Sequence, residues 1–104
     1  MTSQTPMDSR TAIAALNALA QESRLAAYRL LAQAGPDGLA ASRIATALGI
    51  PASSLSFHLK ELSHAGLVAP RQQGRFIIYA VRRDTMSGLL AFLAQQADTD
   101  TGAP

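Results

Sequence analysis

The chain has 104 residues, the size of one small domain, and 48% of them are hydrophobic, enough to build a core. Net charge is +2, with nine basic residues, eight of them arginine, against seven acidic ones; this mild bias favours anionic partners, and the planar donor fork of arginine suits phosphates and guanine edges. Cysteine is absent, which excludes disulfides, thiol redox switching and cysteine-based metal sites, while the lack of an apolar run of ~18 residues and of a signal-peptide core in residues 1–9 points to a cytoplasmic protein with no membrane partner.

Residues 1–8 and 97–104 are polar and aperiodic, as expected of flexible tails around a domain at 9–96. The first helix is predicted over 9–20, with Ala12, Ile13, Leu16, Leu19 and Ala20 forming one apolar stripe. The second covers 22–34, carries Leu25, Tyr28 and Leu31, and stops at Gly35-Pro36. After a turn at Asp37-Gly38, a third short helix spans 41–48 with Ile44, Ala45 and Leu48 inward and Gly49 as its stop. Pro51 suits the start of a fourth helix over 52–65, because a missing N–H costs nothing there. The period then changes. Leu67-Val68-Ala69 and residues 76–81 alternate as strands around a polar segment containing Gly74, the signature of a hairpin. Asp84 or Thr85 caps a last helix running to about Gln96, with Met86, Leu89, Leu90 and Leu93 as its stripe.

Two helices joined by Gly49-Ile50-Pro51, a polar second helix and a basic hairpin behind it make a mainly α fold with a β-hairpin, a winged helix-turn-helix. In the fourth helix Leu55, Leu59 and Leu62 share one face, leaving Ser53, Phe57, Lys60 and His64 opposite and Ser54 and Ser56 on the flanks. Small serines allow close approach to a DNA groove and bond bases or phosphates, although serine also favours helix starts with no ligand at all. Phe57 has two uses open to it: contact with a thymine methyl, or packing under a neighbouring loop. His58, at the edge of the leucine stripe, joins the candidate DNA-binding set, with a hydrogen-bonded structural role as its alternative. Lys60 reaches phosphate, and the hairpin residues Arg71, Gln72, Gln73 and Arg75 form a basic wing for the minor groove or the backbone. The first and last helices each carry an apolar face that the helix-turn-helix core does not need. Ile13, Leu16, Leu19, Met86, Leu89, Leu90 and Leu93 are therefore expected at a homodimer interface.

The run Ser56-Phe57-His58-Leu59-Lys60-Glu61-Leu62, followed by Ala65-Gly66-Leu67-Val68 and a wing with Gly74-Arg75 and Tyr79, resembles the ArsR/SmtB family of bacterial repressors. That family's recognition helix commonly reads Ser-x-His-Leu-x-x-Leu-x-x-Ala-Gly-Leu-Val, matched here from Ser56 to Val68. Arg24-Leu25 also matches the start of its second helix, with Gln21-Glu22 in place of the usual Asp-Pro. The likeness covers residues 12–96. It implies a homodimer joined through the first and last helices, bound to a palindromic operator in double-stranded DNA, with repression relieved by an effector that is often a metal ion. The family's metal sites do not carry over. The arsenic-sensing Cys-x-Cys falls here on about Ala40 and Ser42, and the cysteine pair past the last helix on about Ala97 and Asp98. The zinc-binding last helix keeps Asp84 but has no His or Glu after it, and His58 and His64 are six residues apart, the wrong spacing for a ligand pair. Soft metals need thiolate, and four zinc ligands cannot be assembled. No cofactor or metal is expected, and the effector is unidentified.

Three function classes compete. The first is a dimeric operator-binding repressor. The second is a winged-helix protein-interaction module without sequence-specific DNA binding, with Phe57 as its anchor. The third, an enzyme, is rejected: there is no nucleophile with a base, no carboxylate pair at useful spacing and no phosphate loop.

Overall fold

The computed structural model of the chain describes residues 7–101. Helix α1 (Ser9–Leu19) begins at Asp8, whose carboxylate accepts the Thr11 N–H at 2.8 Å. Hydrogen bonds from the Thr11 side chain and backbone hold the Asp8 carboxyl below the usual carboxylate range. Helix α2 (Glu22–Ala34) is capped by Gln21, whose side-chain oxygen accepts the Arg24 N–H at 2.9 Å, and ends at Gly35. A 3-10 turn, Gly35–Asp37, leads to a two-residue strand, β1 (Leu39–Ala40). Helix α3 (Ala41–Leu48) closes on Gly49 in the left-handed region, φ 67° and ψ 34°, and the N–H groups of both Gly49 and Ile50 return to the Ala45 carbonyl. Pro51 precedes helix α4 (Ala52–His64). Strands β2 (Val68–Gln73) and β3 (Phe76–Val81) form the wing, and helix α5 (Arg83–Thr101) closes the fold.

The sheet is antiparallel, in the order β1-β3-β2. Val68 to Gln73 pair with Val81 to Phe76, and Leu39 and Ala40 pair with Tyr79 and Ile78. Pro70 is tolerated because β2 is an edge strand and owes no ladder N–H on its open side. The sheet has one strand more than the expected hairpin: β1 is too short to show any alternation in the sequence. The turn is also tighter than expected. Arg71, Gln72 and Gln73 are ladder residues, and only Gly74-Arg75 bridges the strands, with Gly74 at φ 63° as the first central residue of a two-residue turn.

The core is the leucine face of α4, Leu55, Leu59 and Leu62, packed with Ala27, Tyr28 and Leu31 of α2, Ile44 of α3, and Leu67 and Val68. Burial pushes the Tyr28 phenol up. The α1 stripe splits in a way the sequence pattern does not reveal. Ala12, Ala15 and Ala18 face inward, where small side chains let α1 lie close to its neighbours, and Ile13 and Leu16 face solvent. α5 divides similarly. Leu89 is buried in the protomer's own core, which corrects its place in the expected dimer stripe; Met86 and Phe92 lean on that core, and Leu90 and Leu93 stay exposed. Leu19 too is partly buried against the core.

Of the expected tails, residues 1–6 and 102–104 lie outside the described residues. Met7 packs on the core fringe beside Gly88, and α5 continues past Gln96 to Thr101. Among the described residues no helix is long and apolar enough to cross a membrane.

Candidate nucleic-acid interface

Because Leu55, Leu59 and Leu62 anchor α4, the helix must turn its other face outward, and Ser53, Ser54, Ser56, Phe57 and Lys60 are all exposed there. No side chain caps the helix start. The three serine hydroxyls make no hydrogen bond within the protein among the described residues, so they are not spent on helix initiation. The first turn of α4 thus presents free backbone N–H groups and free hydroxyls side by side, donors that suit an anionic oxygen. Lys60 and His64 follow one and two turns later, both exposed.

Phe57 does not pack under a loop. The residue is 55% exposed, with the Arg24 guanidinium carbon 5.6 Å from the ring centroid and the His58 ring edge-on at 5.9 Å. His58 is half-buried, and its Nδ1 accepts a hydrogen bond from Arg24 Nε at 3.3 Å. That bond is of the kind a structural role requires. Arg24, from the first turn of α2, therefore joins two consecutive residues of α4 to the helix behind it. The sequence pattern singles out Arg24 only as a family match. A bond across 34 residues leaves no local trace.

In the wing, Arg71 is engaged rather than free. Its Nη1 donates to the Pro36 carbonyl at 3.3 Å, and its Nη2 to the Asp37 carbonyl at 2.9 Å and to Gln73 Oε1 at 3.3 Å. These acceptors are neutral, so Arg71 keeps its positive field while tying β2 to the turn before β1. The Gln72 side-chain amide donates to the Gly74 carbonyl at 3.0 Å and braces the tip. Arg75, in the turn, is exposed and has no partner among the described residues. Farther along, Arg82 pairs with Asp84 at 2.9 Å, and that bond holds the Asp84 carboxyl below its usual range. Among the described residues no group of three or more His, Asp or Glu side chains is placed to hold a metal ion.

The family described as a helix-turn-helix domain matches residues 19–71, from the end of α1 into the wing. No curated protein matches the chain. Solved structures do. An ArsR-like transcriptional regulator from Rhodococcus sp. RHA1 is 26% identical, with a TM-score of 0.77, over 88% of this chain and 85% of that one. A possible transcriptional regulatory protein from Mycobacterium bovis (fragment 1–100) is 31% identical, with a TM-score of 0.66, over 86% of this chain and 92% of that one. The homodimeric winged helix-turn-helix DNA-binding domain of a possible ArsR-family regulator from Mycobacterium bovis is 28% identical, with a TM-score of 0.68, over 100% of this chain and 94% of that one.

Proposed function

The chain belongs to the helix-turn-helix domain family in its ArsR-type winged form, and from that premise we propose that it is a homodimeric transcriptional repressor that binds a palindromic operator. The observation that carries this reading is the exposed start of α4, with three uncommitted serines beside Phe57 and Lys60. Small side chains let the helix backbone come near the floor of the major groove, and the hydroxyls bond base edges or phosphates. Phe57, held upright by Arg24, offers an apolar face to a thymine methyl. Arg75 at the wing tip reaches the minor groove or the backbone, and Lys60 takes a phosphate.

The dimer is supported by the outward pairs Ile13/Leu16 on α1 and Leu90/Leu93 on α5, two helices that pack on each other and leave large aliphatic side chains uncovered. A two-fold arrangement sets the two α4 helices into successive major grooves, ~34 Å apart. The effector is not a thiol-bound metal, since the chain has no cysteine.

The test is the salt dependence of DNA binding. Each phosphate contact contributes a slope of about 0.9 in log K against log salt. Arg75→Ala and Lys60→Ala should each lower the slope by roughly that amount, read by fluorescence anisotropy on the upstream region. Unchanged slopes in both variants would favour a protein-interaction module over a DNA reader.

A further inference from the structure

Behind the recognition face lies a cleft of about 250 Å³ between α1, the first turn of α2 and the last turns of α4. Alanines 14, 18 and 65 line it with short apolar side chains, and Asn17, Arg24, Glu61 and His64 supply the polar groups. It is smaller than the ~300–1,000 Å³ of pockets for drug-sized ligands, which limits an occupant to a small metabolite.

Two features of its charges stand out. Arg24 and Glu61 both border the cleft, yet they form no ion pair with each other, and neither has another salt-bridge partner among the described residues. Arg24 is half-buried and, besides its contact with the Phe57 ring, hydrogen-bonds within the protein only through its Nε, so both terminal nitrogens are left for an outside acceptor. Opposite charges that border one small, partly alanine-lined cleft without pairing match a molecule that carries both charges itself. The Arg24 fork takes a carboxylate in two parallel bonds, and Glu61 takes an ammonium. Asn17 and His64 add hydrogen bonds at the rim.

We propose that this cleft binds an amino-acid-sized zwitterion and that the ligand controls DNA binding through Arg24; the control half rests on the repressor reading above. The same guanidinium that lines the cleft holds His58 by its Nε and stands over the Phe57 ring on the DNA-facing helix. A carboxylate that draws the guanidinium into the cleft competes with both contacts and frees Phe57 and His58 from their present geometry. Ligand and DNA then oppose each other, and each must weaken the other by the same factor, roughly 5–150-fold for ordinary couplings.

The experiment uses the full chain and the DNA it selects. The standard L-amino acids are tested singly at millimolar concentration, with acetate and methylamine as single-charge controls. At least one amino acid should raise Tm and shift the Arg24 side-chain Nε–H resonance, and neither control should. Glu61→Gln, checked for folding by circular dichroism, should lose the shift. The same amino acid should weaken DNA binding, and DNA should weaken its binding equally. Absence of any shift, or an equal shift with acetate, overturns the zwitterion site. A shift with DNA affinity unchanged overturns the control. Tight unliganded DNA binding with no amino-acid response sinks only the sensor, and an amino-acid response without any DNA binding supports the cleft while contradicting the repressor.

Discussion

At the scale of single residues, the division of labour on α4 follows from its period. Leu55, Leu59 and Leu62 are all but fully buried, and Leu59 is in contact with no solvent at all. Leu59→Ala should cost about 2–5 kcal/mol in urea unfolding, the range for a large-to-small change in a packed core. A loss well under 1 kcal/mol would mean that the core closes around the gap more readily than its packing suggests. This stripe was legible in the sequence because a helix brings residues three and four apart onto one face. The serines opposite were legible for the same reason. The partners of Arg24, Arg71 and His58 were not. Each is defined by a partner far along the chain, Arg24 with His58 and Arg71 with Pro36 and Asp37. The residue type and loop-like setting of Arg71 say nothing of the strand it lies in, which puts its guanidinium over the turn before β1.

At the scale of elements, the wing packs on the helical body through Val68, Tyr79 and Val81, and one short segment, residues 35–40, ties it further. Its carbonyls take the Arg71 guanidinium, and its last two residues form β1 and pair with β3. Gly38 makes that approach possible. It sits at φ 68°, and a Cβ there would run into the backbone carbonyl oxygen of Tyr79. Gly49 has a similar φ of 67° but open space around it. Gly49→Ala should therefore cost only the left-handed penalty of about 1–2 kcal/mol, and Gly38→Ala distinctly more, because β1 must also move off β3. Thermal unfolding of the two variants side by side separates these costs, and equal losses would show that β1 does not anchor the wing. Helix order and the hairpin were readable from periodicity and breakers, and the expected bounds of α2 and α3 match the structure. β1 was not readable, since two residues carry no alternation and its only reason to exist is the strand it pairs with.

At the scale of the whole molecule, the protomer is extended, with a radius of gyration of 15.4 Å against ~13 Å for a compact chain of about 100 residues. Ile13 and Leu90, both 59% exposed, mark the faces that a second copy would cover. The sequence showed α1 and α5 as apolar without showing which residues turn outward, because the alanine face of α1 and Leu89 of α5 are taken up by the protomer's own core. Ile13→Glu with Leu90→Glu should convert a dimer into a folded monomer in sedimentation velocity, with weaker DNA binding in proportion; a wild-type chain that already sediments as a monomer would contradict the proposed assembly. In the proposed dimer two α4 helices read DNA together. Sequencing the DNA that the purified protein selects from a random pool tests it most directly. Two inverted half-sites with centres one helical turn apart, about 10–10.5 base pairs, are expected; recovery of no enriched sequence, or of a single unpaired half-site, would contradict paired reading.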